Sequence, residues 1–217
     1  MKTKIIIAGL LLAGLHCVKA QSFVNLDFEQ AGFVKDPSGF GYYASNAIPG
    51  WTGYDGTFAL TDVYSNDVAL SGGSISVVGT NWVYPQIQGS YFVLLDGFNY
   101  PGLQRTSAIG QTGQVPINAL SFTFLGNLEG GTVSFNNQSL FVEQTGSTAN
   151  YNIYVGDISL FAGQTGQLLF KTTLGGSLVL DSIQFSTTPI PEPAESAFGA
   201  IGVLILSVLR HRRASEA

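Results

Sequence analysis

The chain reads as an all-β sandwich, and three observations predict it. From Phe23 onward, short apolar or alternating runs are separated by Gly, Asn, Asp and Pro, and none keeps a helical period for three turns. The runs are many and closely spaced, as two packed sheets require. The 167 residues from Gln21 to Thr187 can bury one substantial core, and Phe, Tyr and Trp are abundant enough to fill it.

Taken in order, the first element is not part of that body. Lys2 and Lys4 precede the apolar stretch Ile5 to Leu15, and the small residues Val18 and Ala20 follow, which is the pattern of a secretory signal peptide over residues 1–20. Signal peptidase is expected to cut after Ala20 and leave Gln21 as the first residue. Leu15 and His16 stand before Cys17 where a lipoprotein signal needs small residues, so lipidation is not expected.

Strands are predicted at "FVNLDFEQ", "TFALTDV", "SISVVG", "YFVLLDG" and "LSFTFLGN", and then at "GTVSFNN", "QSLFVEQ", "YNIYVGDISLF", "GQLLFKTT" and "SLVLDSIQFS". The strongest local signal is "TVSFNNQSLFVE", where Asn136 and Asn137 can take the positive φ of a two-residue turn. Val133 and Phe135 would then share a face with Leu140 and Val142. Asp36 to Gly56 shows no alternation, is rich in Gly and Tyr, and reads as a long loop.

After Thr187 the pattern changes. Pro189, Pro191 and Pro193 mark an extended linker over residues 188–196. Ala197 to Leu209 then carry no charge, and Arg210, His211, Arg212 and Arg213 follow, with residues 214–217 as a short tail. At ~1.5 Å rise, thirteen residues make a helix of roughly 20 Å, short of the ~30 Å hydrocarbon layer. Such a segment alone is marginal as a permanent span, and the basic cluster would be kept on the cytoplasmic side of a membrane.

Composition removes several function classes. Cys17 is the only cysteine and the histidines are His16 and His211, so the body has neither residue type. Disulfides, zinc sites built on Cys or His, Ser-His-Asp triads and Cys-His dyads are excluded from it. Lys35, Arg105 and Lys171 face eleven Asp and Glu, a net charge of −8, which argues against a nucleic-acid partner.

Two groups of side chains carry candidate chemistry. Tyr42, Tyr43, Trp51, Tyr54, Trp82, Tyr84 and Tyr100 fall in or near loop-like stretches, where flat rings could stack on sugar faces. The alternative is that they pack the core and loops, with Trp51 plugging one end of the sandwich. A glycoside hydrolase would need two carboxylates across a cleft, one of raised pKa, and no pair among the eleven acids stands out.

Pro191-Glu192-Pro193, the glycine-containing apolar segment and the basic residues Arg210, Arg212 and Arg213 together resemble the PEP-CTERM sorting signal of Gram-negative bacteria. The resemblance implies an exosortase-type sorting protease as partner, transient inner-membrane insertion, and export to the envelope, cell surface or an exopolysaccharide matrix. "NLDFEQ", "IPGWTGY", "YNIYVGDISLFAGQTGQLLF" and "LVLDSIQF" resemble galactose-binding-like jelly rolls over most of Phe23 to Ser186. That likeness implies that the segment around Leu26 neighbours Ile183, and that Asp27, Glu29 and Asp181 stand where such domains hold a structural calcium. The resulting expectation is a non-catalytic exported jelly roll with a structural or adhesive role. A carbohydrate-binding module is the first alternative and a carboxylate-dependent glycoside hydrolase the second.

Overall fold

The computed structural model describes residues 21–67, 74–80, 82–83 and 85–190. The signal segment 1–20 and the sorting segment 191–217, with their expected helices, lie outside the described residues, as does Tyr84.

Within those limits the regular secondary structure is almost wholly strand. The first eight strands are β1 (Tyr42–Tyr43), β2 (Thr52–Asp55), β3 (Phe58–Ala59), β4 (Asp62–Ser65), β5 (Ser74–Val78), β6 (Phe92–Asp96), β7 (Phe98–Tyr100) and β8 (Leu103–Arg105). The rest are β9 (Ser107–Gln114), β10 (Ser121–Asn127), β11 (Gly131–Phe135), β12 (Gln138–Ser139), β13 (Val142–Ser147), β14 (Asn152–Asp157), β15 (Thr165–Thr172) and β16 (Ser177–Ser186). The described helical pieces are α1 (Ala44–Ala47) and a 3-10 turn at Ser159–Phe161.

These strands form a sandwich. One sheet has the order β1-β4-β5-β6-β16-β10-β14-β13, the other β12-β11-β15-β9-β2-β3, and β7 and β8 make a separate ribbon. The β4–β5 pair is parallel and the other strand pairs are antiparallel.

Alternation explains the core. Leu168, Phe170 and Thr172 of β15 point inward between partly exposed neighbours, and Phe122 and Phe124 of β10 point back at them from the facing sheet. Phe124 meets Phe170 edge-on with ring centroids 5.4 Å apart, across the interior. A second, smaller cluster of Val78, Phe92 and Leu94 accounts for the full burial of β5, and Trp82, Ile87 and Val179 pack on it.

The predicted hairpin is present. Asn136 and Asn137 have φ of 48° and 63°, and Phe135 pairs with Gln138 across them. Val133, Phe135 and Leu140 are buried together, whereas Val142 has already crossed to the other sheet, where it pairs with Gly156.

Five expectations need correction. "TFALTDV" and "QSLFVEQ" are each not one strand but two, β3 and β4 and then β12 and β13, and in each case the chain passes from the six-stranded to the eight-stranded sheet. The segment near Phe23 is not a strand: Ser22 makes an isolated bridge to Gln114, and residues 26–30 turn over the core. Its expected neighbour is nonetheless correct, because the Ile183 N–H donates to the Leu26 carbonyl at 2.9 Å. Residues 36–56 are not all loop, since they hold β1, α1 and β2. "YNIYVGDISLF" is a strand only to Asp157, after which the 3-10 turn begins.

One long strand, β9, has no apolar alternation to reveal it. Its inward space is filled by other side chains: a Cβ at residue 113 would stand 2.8 Å from the Phe23 ring, so glycine there lets Phe23 lie flat on the strand.

Candidate functional site

A groove opens where the Asn25–Gln30 turn meets a bulge in β16. Asn25 and Phe28 adopt positive φ, 49° and 57°, and are held there from below. The Trp51 indole N–H donates to the Asn25 carbonyl at 3.0 Å, and Asn25 Nδ2 donates to the Pro49 carbonyl at 3.2 Å. Asn25 Oδ1 accepts from the Gln30 N–H at 3.0 Å, and Phe28, fully buried, packs against Trp51 at 5.5 Å. The turn therefore has an apolar underside and a polar upper face.

The opposite wall comes from β16. Its pairing with β10 slips between Thr123 and Leu125, and Ser182 takes φ of 49° at the bulge. The bulge breaks the alternation so that Asp181, Ser182 and Ile183 are all buried in succession.

The third wall is the 88–91 segment, fastened by carboxylates. Glu29 Oε1 accepts from the Ser90 and Tyr91 N–H groups at 2.8 and 3.0 Å. Asp181 Oδ2 accepts from the Gln88 N–H at 3.1 Å and its Oδ1 from the Ser182 N–H at 2.6 Å. The Ser182 hydroxyl donates to Gln88 Oε1 at 2.7 Å.

The cavity between these walls measures about 580 Å³ and is lined by Asn25, Asp27, Glu29, Gln30, Gln88, Ser182 and Gln184, with Phe23 and Leu26 as apolar floor. This is a donor and acceptor surface for a polar ligand. Of the three acids named from the sequence as possible calcium ligands, Asp27 and Glu29 line this groove, whereas Asn25, Gln30, Gln88, Ser182 and Gln184 were not singled out.

Asp181 has no exposed surface. Burial pushes its carboxyl up to about 7, opposed by the Ser182 and Gln88 N–H groups and reinforced by the negative charge of Glu29. It does not line the groove, so it shapes the wall without touching a ligand there. At the surface, Asp36 is held below the usual range by the Ser38 hydroxyl and by backbone N–H groups.

The calcium expectation meets a different arrangement. Asp181 and Glu29 are near enough to interact, yet their oxygens accept from backbone N–H groups, and Asp27 Oδ1 accepts from the Glu29 N–H at 3.4 Å. Among the described residues no group of three or more His, Cys, Asp or Glu is placed to hold a metal ion.

The candidate glycan-binding aromatics are dispersed. Trp51 is 5 % exposed and sits in the main core between Phe28 and Phe170, so it cannot offer a face to a sugar. Trp82 packs on the smaller cluster outside the eight-stranded sheet. Tyr54, half-buried on β2, accepts from Gln167 Nε2 at 3.1 Å, and Tyr42 is packed edge-on by Phe33 with Lys35 Nζ over its ring. Tyr43 lies beside it on the sheet edge, while Tyr100 is exposed on the separate ribbon. None of them lines the groove.

Among the described residues no helix is long and apolar enough to cross a membrane. No protein-family model matches the chain, and neither does any curated protein. Among solved structures it is similar to the enzymatically active domain of tailspike protein 4 of bacteriophage CBA120, at 13 % identity and a TM-score of 0.38. That likeness covers 64 % of this chain and 20 % of the tailspike chain.

Proposed function

We propose that this chain is an exported, non-catalytic jelly roll of the galactose-binding-like type, carried to the cell envelope by a PEP-CTERM-like handle. The observation that supports this most is how the body closes. β16 lies between β6 and β10 inside the larger sheet and ends at Ser186. The Ser121 hydroxyl then donates to the Thr188 carbonyl at 2.6 Å, so a cut near Pro191 would leave β1 to β16 whole. Consecutive strands β9, β10 and β11 alternate between the two sheets, as jelly-roll connections do.

The test is fractionation of a Gram-negative host that carries an exosortase. The full chain is expected in the envelope, and a chain truncated after Ile190 in the soluble exported fraction. Identical distributions would overturn the reading.

A second reading, glycan binding, is favoured by the groove rather than by the aromatics. Its acids and amides suit sugar hydroxyls. Glycan arrays run with and without calcium should show saturable binding that Gln184→Ala weakens. Binding lost instead with Tyr100→Ala would return the site to the aromatics.

A further inference from the structure

One end of the sandwich combines exposed apolar side chains with both ends of the described chain. The Gln114 N–H donates to the Gln21 carbonyl at 2.8 Å, and the Leu120 N–H donates to the Ser186 carbonyl at 2.8 Å, so both chain ends leave beside the 115–120 connection. Around them stand Leu160, Ile117 and Phe141, 81 %, 78 % and 66 % exposed, with Leu120 partly exposed.

The segments that carry these side chains adjoin. The Ile158 N–H donates to the Leu120 carbonyl at 3.3 Å, and the Asp157 N–H to the Phe141 carbonyl at 3.1 Å. Ile117 Cγ1 lies 3.5 Å from where a Cβ of residue 163 would stand, in the turn that follows Leu160. Exposed apolar side chains gathered on adjoining segments at one end of the body mark an interaction site.

We propose that this end is a docking surface for a lipid bilayer. The inference rests on the reading of residues 197–213 as a membrane handle, and the length of chain between body and handle selects the occupant. Six residues, 191–196, separate Ile190 from the apolar run at Ala197. At ~3.1 Å per residue for a proline-rich linker they reach roughly 20 Å. The eight residues of β15, running away from this end, cover roughly 26 Å at ~3.3 Å each. A body held on so short a tether meets the bilayer with the end from which the tether leaves.

The chemistry of the patch defines how it docks. Its nearest carboxylates are Asp157, whose Oδ1 accepts from the Ser159 N–H and hydroxyl, and Glu143 on the edge strand β13. Of the body's three basic residues, Arg105 and Lys171 lie toward the opposite end and Lys35 lies beside Tyr42. Docking is therefore apolar insertion at the interface, not attraction to anionic headgroups, and it is insensitive to salt.

The test uses the chain from Gln21 to Ala217, which has no cysteine of its own because Cys17 is the only one in the sequence. An environment-sensitive NBD label is placed by Leu160→Cys or Ile117→Cys at this end, and by Tyr100→Cys or Leu174→Cys at the other, all exposed positions. In phosphatidylcholine vesicles with doxyl-labelled lipid, labels at 160 and 117 are expected to shift to shorter wavelength and be quenched, equally at low and high salt. Labels at 100 and 174 are expected to do neither. Chains that float with vesicles but show no difference between the two ends would overturn the docking surface alone. Chains that fail to float would overturn the membrane handle and the docking surface with it. A blue shift at 160 that grows with protein concentration in the absence of lipid would identify a second copy as the occupant and refute the bilayer.

Discussion

The two ends of the sandwich are built by opposite means. At the end remote from the chain exits, backbone packs on backbone: the Gly97 N–H donates to the Gly176 carbonyl at 2.8 Å and the Gly176 N–H to the Thr173 carbonyl at 3.1 Å. Charge gathers there too, with Arg105 Nε 3.9 Å from Asp55 and Glu129 and Lys171 nearby. At the exit end, apolar side chains close the surface and stay exposed. One end is closed by backbone hydrogen bonds and an ion pair, though Phe58, Tyr100 and Leu174 stay exposed there, while the other gathers aliphatic side chains beside the chain exits.

The largest expected effect lies at the end closed by backbone hydrogen bonds. Gly126 has φ of 147°, and a Cβ there would collide with the Val179 carbonyl of the neighbouring strand β16. Gly126→Ala is expected to cost roughly 3 kcal/mol or more in urea unfolding, because backbone rather than a side-chain tip must move. A cost below about 1 kcal/mol would mean this end is looser than its hydrogen bonds imply.

Between the ends stands Asp181. Its carboxyl is pushed from 3.8 up to about 7 in the folded chain, so the folded form keeps a proton that the unfolded form releases. The contribution of Asp181 to stability is therefore greatest below about pH 4, falls as pH rises to about 7, by a few kcal/mol in total, and is flat above. Asp181→Asn should remove the slope: it costs about 1–2 kcal/mol near pH 4, since one N–H would face an amide donor, and that cost shrinks as pH rises toward 7 and the parent loses stability. Unfolding curves from pH 4 to 8 decide it, and a slope that survives the substitution would assign the titration elsewhere.

The smallest effect belongs to the exit end. Leu160→Asp touches a side chain that the body scarcely buries, so unfolding free energy should change by no more than about 0.5 kcal/mol. A loss of several kcal/mol would show that this end is as tightly closed as the other.

Legibility in the sequence followed the same physics. The Asn136-Asn137 hairpin and the alternation of β15 could be read because local chemistry and tertiary packing agree there. β9 could not, because Gly113 makes room for Phe23, a contact made by a residue 90 positions away. Burial was not legible at two candidate site residues. Of the two readings of Trp51, sugar stacking and packing, its place in the core agrees with packing, and nothing local to Asp181 announces that it is fully buried. Only the β16 bulge had a visible trace: the inward residues Leu178, Leu180 and Ile183 are spaced by two and then by three. The groove is assembled from three distant segments, which no local pattern specifies.

The central claim is that a self-contained sandwich is delivered by a detachable tail. Intact-mass measurement of the mature protein from an exosortase-bearing host tests it most directly. The account predicts a chain beginning at Gln21 and cut near Pro191-Glu192-Pro193, lost when that motif is changed. A mature protein that still carries Arg210 to Arg213 would contradict it.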